Sequence, residues 1–236
     1  AEVIEAPSNP NFTRSFMFGF SIPFTHTGLL FSAPIGEMVS LTGGVVNGWD
    51  NVVDNNDDKT FLGSLALTPL ENIAVYLNGT YGNESTDGEG DARGIFDLVA
   101  TANLDPISLS ANFDYGSEGE GKWVGFAGIV GLDLQSAAQL PLGIFVRGEV
   151  FDDQDGFRTG TEQQLHEITL TCKWYLTEKL TFWVEYRHDG SDEDVFGDEG
   201  IAGFDDMMTP DPADDVAIFN VTDTQDTALF ALSYVF

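Results

Sequence analysis

Runs of about ten residues with apolar side chains at alternate positions recur along this chain and constrain its fold more than any other feature. The clearest are Ile107/Leu109/Ala111/Phe113/Tyr115, Ile144/Val146/Gly148/Val150, Ile168/Leu170/Cys172/Trp174 and Leu180/Phe182/Val184/Tyr186. The final run closes the chain the same way, with Ala228, Phe230, Leu232, Tyr234 and Phe236 on one parity. A period of two is the period of a β-strand, whose side chains point to opposite faces in turn. This reading places strands near 28–35, 38–49, 60–70, 73–83, 92–104, 107–116, 122–135, 142–152, 165–176, 180–189 and 226–236. Ten residues is also the length that a tilted strand needs to cross a bilayer.

The connections between these runs alternate in length. Pro34–Glu37, Pro69–Asn72, Leu104–Pro106, Gln135–Pro141 and Leu176–Lys179 are short. Asp50–Lys59, Gly82–Asp91, Ser117–Gly121, Asp153–Gln164 and Gly190–Gln225 are read as the long set. Short turns at one end and long loops at the other are the habit of an antiparallel up-and-down transmembrane β-barrel, with the short side periplasmic. A soluble β-sandwich is the alternative, and it has no reason to sort its loops this way. The expected fold is therefore all-β: residues 1–236 as one barrel domain, with 1–27 irregular and about eleven strands over 28–236. Trp49 and Tyr115 are expected near the outer rim and Trp174 near the inner one, as interfacial aromatics. Trp183 has the opposite parity to its apolar neighbours and is expected inside.

Composition excludes several classes. The net charge is -30, which leaves nothing to bind nucleic-acid phosphates. The acids concentrate in the long loops, so the negative field is expected at one mouth. No run of eighteen apolar residues is present, and the mean hydropathy of -0.05 does not argue against a barrel, whose polar inner face offsets its outer one. One cysteine, Cys172, allows no internal disulfide. No zinc cluster, phosphate-binding glycine loop or dinucleotide fingerprint occurs, and no cofactor is expected.

Two stretches carry a family resemblance. Glu2-Val-Ile-Glu-Ala-Pro-Ser-Asn-Pro-Asn-Phe-Thr-Arg-Ser-Phe-Met-Phe-Gly-Phe-Ser-Ile-Pro-Phe-Thr-His-Thr-Gly28 is the first, and Val45-Val-Asn-Gly-Trp-Asp-Asn-Val-Val-Asp-Asn-Asn56 is the second. Both resemble the β-barrel porin-2 family of outer-membrane proteins. The likeness is dense over residues 2–56 and looser, by strand and turn spacing, to Phe236. It implies a porin-like channel in the outer membrane of a Gram-negative-type bacterium. Family members usually carry a signal peptide and several strands before the Glu2–Glu5 stretch, so N-terminal strands are expected to be missing here. The terminal aromatic pair Tyr234 and Phe236 resembles the signal read by the barrel-assembly machinery. Outer-membrane lipid and lipopolysaccharide are the other expected partners, and oligomeric state is left open.

If the apolar parity faces lipid, the opposite parity lines the lumen. It collects Arg93, Asp97, Asp114, Arg147, Glu149, Glu167, Lys173, Glu185 and Arg187. Such opposed charges either set a transverse field for ion selectivity or neutralise one another in a narrow barrel. The segment 12–24, with Arg14, Phe16, Phe18 and Phe20, is expected either as a loop folded into the lumen as a constriction or as a further strand. The acidic mouth points to cation preference. A non-conducting structural or adhesion barrel, binding through its acidic loops, is the alternative. Two chemical readings compete with these. Asp152-Asp153 and His188-Asp189 sit at outer strand ends as in an omptin-like rim protease, but the surrounding pattern is absent and the chain is not expected to be an enzyme. Asp153 and Asp155 partly match a calcium loop, but Phe151 occupies its first ligand position.

Overall fold

The β-hairpins here join one-sidedly apolar strands, through short polar or glycine-containing turns at one end and mostly longer loops at the other. This is the local rule from which the sheet follows. The computed structural model describes residues 2–86, 90–205 and 216–235, with the side chains of 198–220 left aside. Eleven antiparallel strands form one sheet: β1 (Gly28–Ile35), β2 (Val39–Val46), β3 (Thr60–Leu70), β4 (Ile73–Asn83), β5 (Ala92–Asn103), β6 (Ile107–Glu118), β7 (Gly121–Asp133), β8 (Leu142–Asp153), β9 (Gln163–Tyr175), β10 (Leu180–Ser191) and β13 (Thr224–Tyr234). Neighbours in sequence are neighbours in space, except that β10 pairs with β13 across the hairpin β11 (Phe196–Asp205) and β12 (Val216–Thr222). Among the described residues β1 and β13 do not pair with each other, so the sheet is not closed.

Three expectations change. The hairpin β11–β12 lies inside the stretch read as one long loop, because its runs lack a clean alternation. The loop read at Ser117–Gly121 is a tight turn: β6 and β7 pair up to Glu118 and Gly121, with Gly119 at φ 58°. The connection Gln135–Pro141 holds a short helix, α1 (Leu134–Ala138), whose first turn is capped by the Asp133 side chain. Phe236, the last residue of the proposed assembly signal, and the loop acids Asp87, Glu89, Asp206, Asp211, Asp214 and Asp215 lie outside the described residues.

Period-two burial is plainest in β8, β9 and β10. Arg147, Glu149, Phe151 and Asp153 are buried, while Val146, Gly148 and Val150 between them are exposed. The exposed set is apolar over the whole sheet, from Leu29 and Phe31 on β1 to Phe230 and Leu232 on β13. This is the lipid-facing surface of a barrel wall, where apolar side chains need no water-excluding partner. The inner face divides in two. On β1 to β4 it carries no charged side chain and is built from residues such as Leu30, Ser32, Thr42, Leu62 and Ser64. On β5 to β10 it carries the charges.

Residues 2–27 are packed against that charged half. They form no strand: a 3₁₀ turn at Ala6–Ser8 and a π-type turn at Met17–Ser21 shape the segment. Met17 sits in an apolar cluster with Ile95, Trp123, Ala127, Phe151 and Leu165 inside the wall. Small residues on the inner face make room for it. A Cβ on Gly125 would come within 2.6 Å of Met17, and one on Gly116 within 2.0 Å of the Trp123 indole. Gly116→Val is therefore expected to lower stability by about 1–3 kcal/mol through overpacking. Urea-unfolding midpoints of the two refolded proteins check this.

Candidate functional site

On β8 to β10 the charged half of the inner face does not line open water. Its side chains converge on the backbone of residues 9–17. On β10, the Glu185 carboxylate accepts the N–H groups of Phe12 and Thr13 at 2.6 and 2.8 Å. On β8, Glu149 accepts those of Phe16 and Met17, the latter at 3.1 Å. Three cations take the carbonyls. Lys173 on β9 donates to Asn9 O at 2.6 Å, Arg147 on β8 donates to Thr13 O at 2.7 Å, and Arg187 on β10 donates to Arg14 O. An irregular backbone leaves N–H and C=O groups that must find partners when buried. Ionised partners make the stronger hydrogen bonds.

The same groups are tied to one another. Arg147, fully buried, also pairs with Glu167 at 2.6 Å and with Glu2 at 2.8 Å. Arg187 pairs with Asp189 at 2.5 Å. Lys173 is not paired with Glu167; its ammonium rests between the rings of Phe145 and Trp183, 4.6 and 4.1 Å from their centroids. Phe12 meets the face of Trp183 edge-on at 5.5 Å.

A second cluster holds the segment at the long-loop end. Trp49, Trp123 and Phe157 stack or abut, with Arg93 and Arg158 placed over their faces at 5.0 to 5.4 Å. Trp123 donates its indole N–H to Ser21 O at 3.2 Å, and Arg158 donates to Phe20 O at 2.5 Å. Arg158 reaches inward because its loop folds over: Gly156 takes φ 65°, and Asp153 accepts the N–H groups of Arg158 and Thr159. Trp49, expected in the rim girdle, belongs to this inner cluster instead, because Trp123 and two guanidinium groups offer its ring a better surface. Arg93 is also paired with Glu118.

Asp97 and Asp114 stand apart. They lie opposite each other on β5 and β6 and face a cavity of about 400 Å³ between the wall and the N-terminal segment. The Asn112 amide donates to both, at 2.8 and 2.9 Å, and Asn78 donates to the other oxygen of Asp97 at 2.6 Å. Arg14, Phe16, Phe18 and Phe20 are all on the inserted segment. Phe16 lies under Arg187, Phe18 under Arg14, and Phe20 stacks on Phe151.

Sequence reading missed Glu2, Asn78, Trp123 and Arg158, and it put Asp189 at the rim with His188 instead of inside with Arg187. Parity alone could have found Asp189, two residues after Arg187, and Trp123, which shares a face with Gly125 and Ala127. Parity also reaches Asn78 on β4, opposite Asp97, while Glu2 and Arg158 depend on how irregular segments fold. The rim His-Asp pair does not assemble. Alternation sends Asp189 inward to Arg187, while the outward His188 bonds Asp226 at 2.8 Å. Asp153 and Asp155 are engaged by backbone N–H groups, Asp155 by that of Lys122. Among the described residues no group of three or more metal-ligating side chains converges.

Comparison with known proteins matches this architecture. The family model described as "Putative beta-barrel porin-2, OmpL-like" matches residues 1–209. No curated protein sequence matches the chain. Similar solved structures include an anion-selective porin from Comamonas acidovorans, at 11 % identity and TM-score 0.61, over 88 % of this chain and 58 % of that one. OmpT, an outer membrane protein of Vibrio cholerae, aligns at 9 % identity and TM-score 0.50, over 87 % of this chain and 63 % of its own. OccK7 of Pseudomonas aeruginosa aligns at 10 % identity and TM-score 0.51, over 87 % and 59 %. At these identities the likeness is one of fold, and the chain spans 58 to 63 % of the length of those structures. With its eleven-stranded up-and-down sheet, apolar outer face and matching family model, this chain belongs to the β-barrel porin-2, OmpL-like family of the Gram-negative outer membrane.

Proposed function

We propose that this chain builds a passive diffusion channel for ions and small polar solutes, not an enzyme, and that it prefers cations. Residues 2–27 narrow the lumen chiefly by covering the wall from β7 to β10, which leaves the passage on the side of β3 to β6. One observation carries the preference: the basic and acidic groups are sorted. Arg147, Lys173 and Arg187 spend their charge on the inserted backbone and on Glu2, Glu167 and Asp189, and Arg93 and Arg158 on the aromatic cluster and its carbonyl and carboxylate. The cavity beside the segment is lined by Glu2, Asp97 and Asp114 and by no Lys or Arg among the described residues. A narrow passage with carboxylate walls and low-dielectric flanks raises the local concentration of cations.

Reversal potentials across a planar bilayer under a KCl gradient test this. The protein is expected to favour K⁺ over Cl⁻, and Asp97→Asn with Asp114→Asn is expected to reduce that ratio severalfold. Anion selectivity, the property of the Comamonas acidovorans porin, would refute the preference. The completeness with which residues 9–17 cover their half of the wall favours a second reading, a non-conducting barrel that binds through its loops. A folded barrel without conductance selects it. In either case the outward apolar surface has outer-membrane lipid and lipopolysaccharide as its partners, and the C-terminal strand is the element that barrel-assembly machinery would read.

A further inference from the structure

The acidic cavity has an apolar neighbour. A second space of about 320 Å³ shares Ile22, Asn78 and Asp97 with it and is walled by Pro23, Leu30, Leu62 and Ile95. The two meet at the Asp97 carboxylate. Asp97 and Asp114 are directly opposed across β5 and β6, an arrangement of like charges that destabilises a sheet unless something compensates it. The Asn112 amide that bridges them is neutral, and no Lys or Arg lines either space among the described residues. His26 borders the apolar space. Partial burial lowers its pKa from the ordinary imidazole value, against the opposing pull of Asp50, which disfavours a positive charge there. The Thr80 hydroxyl, which also lines the apolar space, is buried without a hydrogen-bond partner.

From this juxtaposition we propose that the passage is a binding site for organic ammonium ions with an apolar body: the ammonium lies at Asp97 and Asp114, and the hydrocarbon lies against Ile22, Pro23, Leu30 and Leu62. A primary ammonium has three donors to offer the two carboxylates. A small inorganic cation uses only the acidic half. An aromatic or alkyl amine also removes its apolar surface from water. The inference rests on the cation-preferring channel described above and names the solute class that its geometry suits best.

Benzylammonium, methylammonium and benzoate serve as probes. In a planar bilayer, benzylammonium is expected to reduce the K⁺ current at concentrations at least about tenfold below those needed with methylammonium, with benzoate inert. Asp97→Asn is expected to remove the effect of both amines. Leu62→Ser is expected to weaken benzylammonium more than methylammonium. Equal potency of the two amines, or block by benzoate, overturns the proposal while K⁺ selectivity stands. Loss of K⁺ selectivity in the native protein overturns the channel reading instead. Titration calorimetry of the detergent-folded protein with benzylammonium decides the binding question without conductance: no saturable heat, or heat unchanged in Asp97→Asn, overturns the site.

Discussion

Arg147→Ala is expected to release residues 9–17 from the wall, raise single-channel conductance and lower the stability of the folded barrel by about 3–5 kcal/mol. The side chain is fully buried and meets Glu2, Glu167 and the Thr13 carbonyl at once. Removing it takes a donor from two carboxylates and a carbonyl, and the Glu167 side chain among them is fully buried. Burying a charge without its partner is among the most costly single changes a protein meets. Arg147→Lys is expected to recover part of the stability and little of the closure, because an ammonium cannot span Glu2, Glu167 and Thr13 with a planar fork. Conductance steps and urea-unfolding midpoints of the three proteins check the ordering. Unchanged conductance in Arg147→Ala would show that the segment is held without this residue.

The second large effect is expected at Trp123. It is fully buried, stacks on Phe157 with 7° between the rings, meets Trp49 edge-on and donates to Ser21 O. Trp123→Ala is expected to cost about 3–5 kcal/mol, the range for emptying a packed aromatic site. Trp174→Ala is the contrast. Trp174 is half exposed on the lipid-facing parity of β9 and its loss empties no interior space, so a much smaller shift is expected. Measuring the heat at which each folded barrel unfolds in detergent compares them. Equal losses would mean that the aromatic cluster at the long-loop end does not fasten the inserted segment.

What could be read from residues alone was whatever repeats. The period of two located the eleven strands of the sheet to within a few residues and assigned the parity of Trp183, Arg147 and Glu185. Pairing of neighbours in sequence needs no further information once strands and turns are known. The hairpin β11–β12 was not legible because its strands carry no regular alternation. The meaning of the lumen charges was not legible either. Sequence presented them as opposed charges that set a field or neutralise one another, whereas most address backbone atoms 130 to 175 positions away. Backbone donors and acceptors are the same at every residue, so no side-chain pattern in 9–17 announces which of them will be met.

That distance in sequence has a consequence for the order of assembly. Among the described residues, the charged groups of the wall that fasten residues 9–17 lie on β8, β9 and β10. The segment precedes these strands in the chain but is anchored after them, since its receptors exist only once those three strands have paired. Contacts so remote in the chain form late, after the loop entropy between them has been surrendered to strand pairing. A growing barrel of this design therefore passes through a stage in which its wall is built and its interior is still vacant.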